Sequence, residues 1–173
     1  MDFKLRNSSL YIYGVMHEIT LRKSVEADLR IFFLNQTDEV ANYMAAFTPE
    51  NPHDEAAYMA KWFRLMEDET VHMQTILFNQ EVIGCLVKFE MDGEAEITYA
   101  INSSYWNKGI TSQAVEQFLT LEPMRPLYGR VAFDNYGSQR VLEKVGFKAI
   151  GTNYFFANAR GKEIKELIYR LDT

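Results

Sequence analysis

A chain of 173 residues, 47% apolar and 14% aromatic, is long enough to bury one substantial core. Its formal net charge of -6, with positive charge scattered, argues against a nucleic-acid backbone as partner, which needs clustered Lys and Arg. A lone cysteine, Cys85, excludes an internal disulfide and fits a reducing compartment, and no apolar run approaches the ~18 residues that span a bilayer. The polar N-terminus lacks a signal-peptide core, so the expectation is a soluble, cytoplasmic protein without a membrane partner. His17, His53 and His72 lack ligand spacing, so no metal is expected, and Cys85 in the apolar run Val82–Val87 reads as a packed core thiol. Two acidic clusters, Glu67-Asp68-Glu69 and Asp92, Glu94 and Glu96, would attract a cationic amine and serve equally well as solvated faces.

Residues 1–17 are the least readable stretch, an N-terminal extension in which Leu10–Tyr13 has strand character and Gly14 can turn the chain. Glu18–Arg22 alternates as a half-buried strand, after which Ser24 reads as an N-cap for a helix with Val25, Leu29, Phe32 and Phe33 on its apolar face. A short helix follows around Glu39–Met44, ended by Thr48-Pro49-Glu50-Asn51-Pro52. Asp54 caps a further helix to Met66, with Tyr58, Trp62, Leu65 and Met66 on one side. The period then changes to that of strands: Val71–Phe78, Val82–Phe89 and Glu94–Ile101, joined by Asn79-Gln80 and by the hairpin turn Asp92-Gly93. Gly109–Leu121 is helical, Leu127–Phe133 a strand, Asn135–Lys144 a helix, and Phe147–Phe156 and Lys162–Leu171 close the chain as a hairpin around Arg160-Gly161.

Strand, helix, strand from Glu94 to Phe133 is a βαβ crossover, which makes its two strands parallel. With hairpins on either side, the expected fold is α/β: a mixed, mostly antiparallel central sheet with helices on both faces. No repeat or linker interrupts residues 1–173, which are read as a single domain.

Two segments bear chemistry. Trp106-Asn107-Lys108-Gly109-Ile110-Thr111-Ser112 is a turn opening a helix, which presents free backbone N–H groups and the positive end of a helix dipole, a setting suited to pyrophosphate. Asp134-Asn135-Tyr136-Gly137-Ser138-Gln139-Arg140-Val141-Leu142-Glu143-Lys144-Val145-Gly146-Phe147 is a capped helix that stops at a glycine and runs into a strand. Together they resemble the acyl-CoA site of the GCN5-related N-acetyltransferases (GNAT), and within them the RimJ/RimL-like branch that acetylates ribosomal-protein N-termini. That branch often carries Trp-Gly-Lys-Gly-Ile-Ala in the loop; here Asn107 replaces a glycine and Thr111 an alanine. Asn accepts positive φ better than most residues, so the turn survives.

The resemblance implies a set of roles. Trp106, Asn107, Lys108, Gly109, Ile110, Thr111, Ser112, Asn135, Ser138 and Arg140 would bind acetyl-CoA, with Asn135 on the pantetheine arm. Main-chain groups of Tyr99, Ala100 and Ile101 would bind its amides and polarise the thioester carbonyl. Many members carry a tyrosine seven residues after the asparagine, as the acid for the departing thiolate. This chain has Leu142 there, which leaves Ser138 as the substitute and Tyr136 as a second candidate. Strand alternation puts Glu94, Glu96, Thr98 and Ala100 on one face, where paired carboxylates hold a proton more tightly than one alone, so Glu96 is the candidate base.

The implied function is transfer of acetyl from acetyl-CoA, as co-substrate, to a primary amine by direct attack in a ternary complex, in a monomer or homodimer. The acceptor is not identified. A non-catalytic acyl-CoA-binding or regulatory domain, and a purely structural interaction domain, are the rival readings on the same fold.

Overall fold

The computed structural model describes residues 7–173. Residues 1–6, part of the N-terminal extension, lie outside that description. Eight strands form one sheet: β1 (Asn7–Ile12), β2 (Val15–Lys23), β3 (His72–Phe78), β4 (Glu81–Met91), β5 (Glu94–Ile101), β6 (Leu127–Ala132), β7 (Lys148–Ala157) and β8 (Lys162–Leu171). Their order is β1-β2-β3-β4-β5-β6-β8-β7, and every neighbouring pair is antiparallel except β5–β6. Five helices connect them: α1 (Leu29–Gln36), α2 (Glu39–Ala45), α3 (Glu55–Glu67), α4 (Ile110–Leu121) and α5 (Tyr136–Lys144). None is long and apolar enough to cross a membrane.

The helices cover both faces. Ile110, Ala114, Val115 and Phe118 of α4 and Leu142 of α5 pack against Ile19, Leu86, Ile97 and Leu127 of the sheet. On the opposite face Leu29, Phe32 and Phe33 of α1 and Tyr58 of α3 pack on Met73, Cys85 and Val87. The expected alternation of β5 holds, with Ala95, Ile97 and Ile101 in the first core and Glu96 on the other face beside Arg130. Cys85 is buried, and burial first, then the nearby Asp28 charge, pushes its thiol up to about 12.

The two-residue links behave as read. Asn79-Gln80 and Asp92-Gly93 all take positive φ, the backbone of a tight antiparallel hairpin. At the end of α5, Gly146 (φ 101) donates to Glu143 O and Phe147 N donates to Leu142 O, a paired C-terminal closure in which glycine supplies the left-handed residue.

Three expectations are corrected. Ser24 is not an N-cap: a 3-10 turn over Glu26–Asp28 begins at Val25, and Ser24 is buried, with its Oγ hydrogen-bonded to Thr75 Oγ1 at 2.8 Å. Asp28 organises this corner, accepting from the Val25 N–H at 3.0 Å and from both terminal guanidinium nitrogens of Arg22 at 2.6 and 2.7 Å. Those bonds hold its carboxyl below the usual carboxylate range against the opposing effect of burial. Val25, placed on the apolar face by sequence, is exposed. In α3 the buried side is completed by Met59, not Leu65, beside Tyr58, Trp62 and Met66.

Candidate active site

β5 and β6 pair at only two positions, Ala95 with Leu127 and Glu96 with Tyr128. Beyond them β5 stays bonded to β4 as far as Ile101, while β6 stays bonded to β8 as far as Ala132, so the two halves of the sheet part. The bulge in β4 sets the β5 side. The Ile83 carbonyl accepts from Asn102 N at 2.8 Å and Asn35 Nδ2 at 3.0 Å, which ties the end of β5 to β4 and α1. The opening is a cleft of about 780 Å³, lined by Thr98, Tyr99, Ala100 and Ile101 on one wall and Gly129 to Ala132 on the other. Its size is that of a ligand pocket, and its parted walls suit a linear chain that takes the place of a strand.

The loop from Trp106 leads from β5 into α4. Asn107 (φ 60) and Gly109 (φ 77) both take left-handed backbone, which an Asn and a Gly accept most readily. Gly109 is the N-cap of α4 and offers no side chain, so the first-turn N–H groups of Ile110, Thr111 and Ser112 end the helix without a side-chain acceptor. Gly109, Ile110, Thr111 and Ser112 all line the cleft, as do Trp106 and Asn107. Trp106 Nε1 donates to Ile101 O at 3.2 Å, bracing the loop on the end of β5. Lys108 turns away, donating to Ser104 O at 2.8 Å, and is not part of the lining.

The start of α5 forms the facing wall. Asn135 is its N-cap: Oδ1 accepts from Ser138 N at 3.1 Å and Nδ2 donates to Met44 O at 3.1 Å, joining α5 to α2. The amide keeps one further donor hydrogen and one further lone pair. Ser138 lines the cleft, and its Oγ lies 2.8 Å from the Tyr99 hydroxyl on the other wall. Burial holds the Tyr99 phenol well above its ordinary range, so it stays protonated. Tyr136 is exposed and is not among the lining residues. Leu142 is 1% exposed, packed over Gly129, and has no proton to give.

Glu96 is buried and lies outside the lining, with Oε1 accepting from Arg130 Nε at 2.8 Å. Arg130, which does line the cleft, also donates through Nη1 to Glu166 at 3.1 Å, and its Nη2 is 3.9 Å from Glu94. The expected reinforcement between two carboxylates is thus interrupted by a guanidinium, itself held charged by its hydrogen bond to Glu96 first. Three carboxylates surround one guanidinium, and of this cluster Arg130 alone is among the residues that line the cleft.

Sequence reasoning missed Arg130, the Tyr99 side chain, Met44 and Lys144. Lys144 lines the cleft four residues after Arg140, a basic pair on one face of α5 that helical spacing alone gives. The others depend on contacts between distant segments. Among the described residues no group of three or more His, Cys, Asp or Glu is arranged to hold a metal ion.

Comparison with known proteins agrees with this geometry. A curated relative, an uncharacterized N-acetyltransferase YjdG of Bacillus subtilis, is 32% identical over 98 residues, 53% of this chain and 54% of that protein. The chain therefore spans about half the length of the curated relative it matches. Two solved structures share the fold. RimL, a ribosomal L7/L12 α-N-protein acetyltransferase solved with coenzyme A, aligns over 95% of this chain and 98% of its own at TM-score 0.72 and 16% identity. A spermidine N-acetyltransferase from Vibrio cholerae, solved with CoA and spermine, aligns over 88% of this chain and 95% of its own at TM-score 0.71 and 21% identity. The profile of the acetyltransferase (GNAT) domain matches residues 18–148, and the chain belongs to that family.

Proposed function

We propose that the chain is a single-domain, acetyl-CoA-dependent N-acetyltransferase that acetylates a primary amine by direct attack. The observation that carries this reading is the coincidence, in one cleft, of parted strands β5 and β6 with the uncapped N-terminus of α4. An extended pantetheine arm fits between strands whose backbone groups have lost their partners. The free N–H groups of α4, with Arg140 and Lys144 on the same cleft, suit phosphate oxygens.

Acetyl transfer asks little else of the protein. An oxyanion forms on the thioester carbonyl, and a β5 backbone N–H from Tyr99, Ala100 or Ile101 can donate to it. The sulfur leaves as a thiolate, near pKa ~8.5 when free, and the Ser138 hydroxyl is the group we assign to meet it. We assign Glu96 to holding Arg130 in place beside the cleft, because taking a proton would break its ion pair. The ammonium proton then passes to water.

The Trp106 loop and Ser138 support the RimJ/RimL-like branch, for which a protein N-terminus is the default acceptor. A small-molecule amine is the alternative acceptor. Acetyl-CoA added to the protein should raise its melting temperature in proportion to the logarithm of concentration above Kd. No shift at millimolar acetyl-CoA would refute the placement of the cofactor.

A further inference from the structure

Tyr99 and Ser138 are 39 positions apart in sequence, on opposite walls of the cleft, and their hydroxyl oxygens are 2.8 Å apart. The Tyr99 hydroxyl is also 3.2 Å from the Ser138 carbonyl oxygen. This is a side-chain bridge across the gap in which β5 and β6 make no backbone bonds. We propose that the two hydroxyls act as one unit toward the departing sulfur, with Ser138 as the group that touches it and Tyr99 as a positioning residue that aims the Ser138 proton. The proposal rests on the acyltransferase reading above.

The bridge can be satisfied in two ways, because either hydroxyl can donate. In one, Ser138 Oγ–H donates to Tyr99 and Tyr99 O–H donates to the Ser138 carbonyl. In the other, Tyr99 O–H donates to Ser138 Oγ and the serine proton is freed to point into the cleft. An anion in the cleft selects the second arrangement, since a hydrogen bond to a charged acceptor is roughly twice as strong as one to a neutral acceptor. The exchange gives up only the 3.2 Å bond to the carbonyl and moves no heavy atom. Tyr99 suits the role because its ring is packed against the core and its phenol stays protonated, so it always has a proton to give. Leu142, one turn beyond Ser138 on α5, cannot supply one.

The chemistry balances without a proton from either side chain. As the tetrahedral intermediate collapses, the C–S bond breaks and its electron pair goes to sulfur. The hydrogen bond from Ser138 stabilises that thiolate while Tyr99 holds the serine oxygen. The proton that finally makes the thiol is the one shed by the amine nitrogen, delivered through water.

The test uses the complex with CoA alone, so it does not depend on knowing the acceptor. The ultraviolet absorbance of the thiolate is followed against pH in the bound and free states. Bound CoA should titrate about one unit below the free thiol. Ser138→Ala should abolish that shift, Ser138→Thr should keep most of it, and Tyr99→Phe should remove at least half without changing CoA affinity more than about twofold. The double variant Tyr99→Phe/Ser138→Ala should match Ser138→Ala alone, because Tyr99 acts through the serine. Should Tyr99→Phe fail to fold, the Ser138 variants still decide whether a hydroxyl there serves the sulfur. CoA that binds but titrates as the free thiol would overturn the proposal, as would a full shift in Tyr99→Phe or Ser138→Ala. Failure of CoA to bind the parent protein would overturn the acyltransferase reading beneath it.

Discussion

Gly84 of β4 lies against the backbone of Ala100 in β5: a Cβ at position 84 would stand 2.0 Å from the Ala100 carbonyl oxygen and 2.7 Å from the Ile101 Cα. The close approach belongs to the part of β5 that forms one wall of the cleft, so the shape of the site is set partly from behind, by a residue that does not line it.

Gly84→Ala should therefore do more than lower stability. Backbone cannot yield as a side-chain tip does, and overpacking of this kind costs about 1–3 kcal/mol. A fall of several degrees in Tm together with at least a tenfold loss of acetyl-CoA affinity is expected from calorimetry. Unchanged affinity in a folded variant would mean that the β5 wall is not part of the cofactor site.

At the mouth, charge and backbone strain can be separated. Gly109→Asn keeps a residue that accepts left-handed φ and is neutral, whereas Gly109→Asp introduces a carboxylate beside the free N–H groups of α4. Acetyl-CoA affinity should fall much further in the aspartate variant, and added salt should narrow the difference. Equal affinities for the two variants at low salt would move the phosphates elsewhere.

Glu96→Gln distinguishes a base from a brace. A lost base would depress the rate mainly below the pKa of the amine, with recovery at high pH. Loss of the brace on Arg130 should instead lower the rate by a similar factor at every pH, giving parallel profiles. Recovery at high pH would restore Glu96 as the base.

Alkaline stability follows from two buried acids. Cys85 is pushed up to about 12 by burial, and Tyr169 to about 12 by burial and then its hydrogen bond to Glu143. For each, the folded state favours the neutral form, so the stability gained is fully present below the unfolded values of about 8.5 and 10. It is lost as pH rises from there towards 12. Tm should fall steadily above about pH 9, and Cys85 should resist thiol reagents until the protein unfolds. A thiol that reacts rapidly in the native protein at pH 8 would contradict the packing around α1 and α3.

Much of this was legible in sequence because it is local. The bounds of β5 and β8, the Asp92-Gly93 hairpin, the parallel crossover and the helix stop at Gly146 each follow from a few neighbouring residues whose backbone preferences agree. Asn107 takes the positive φ that its residue type permits. What stayed hidden is long-range. Ser24 looked like a cap because serine before an apolar run caps helices, but Asp28, paired with Arg22 and Thr75, moved the helix start. The partner of Glu96 is Arg130, and that of Arg130 is Glu166; the crossover makes β5 and β6 parallel, but nothing along the chain gives their register or sets β8 beside β6. The Tyr99–Ser138 bridge is of the same kind, set by strand order and not by spacing.

Acetyl transfer itself is assayed by mixing the protein with acetyl-CoA and a panel of amines, following thiol release and confirming the product by mass spectrometry. The panel should include polyamines, N-terminal peptides and acidic amino acids. Thiol release dependent on both substrates and a product carrying one acetyl group on nitrogen are expected. A protein that binds acetyl-CoA in this cleft yet acetylates no amine across the panel would contradict the proposed acetyl transfer.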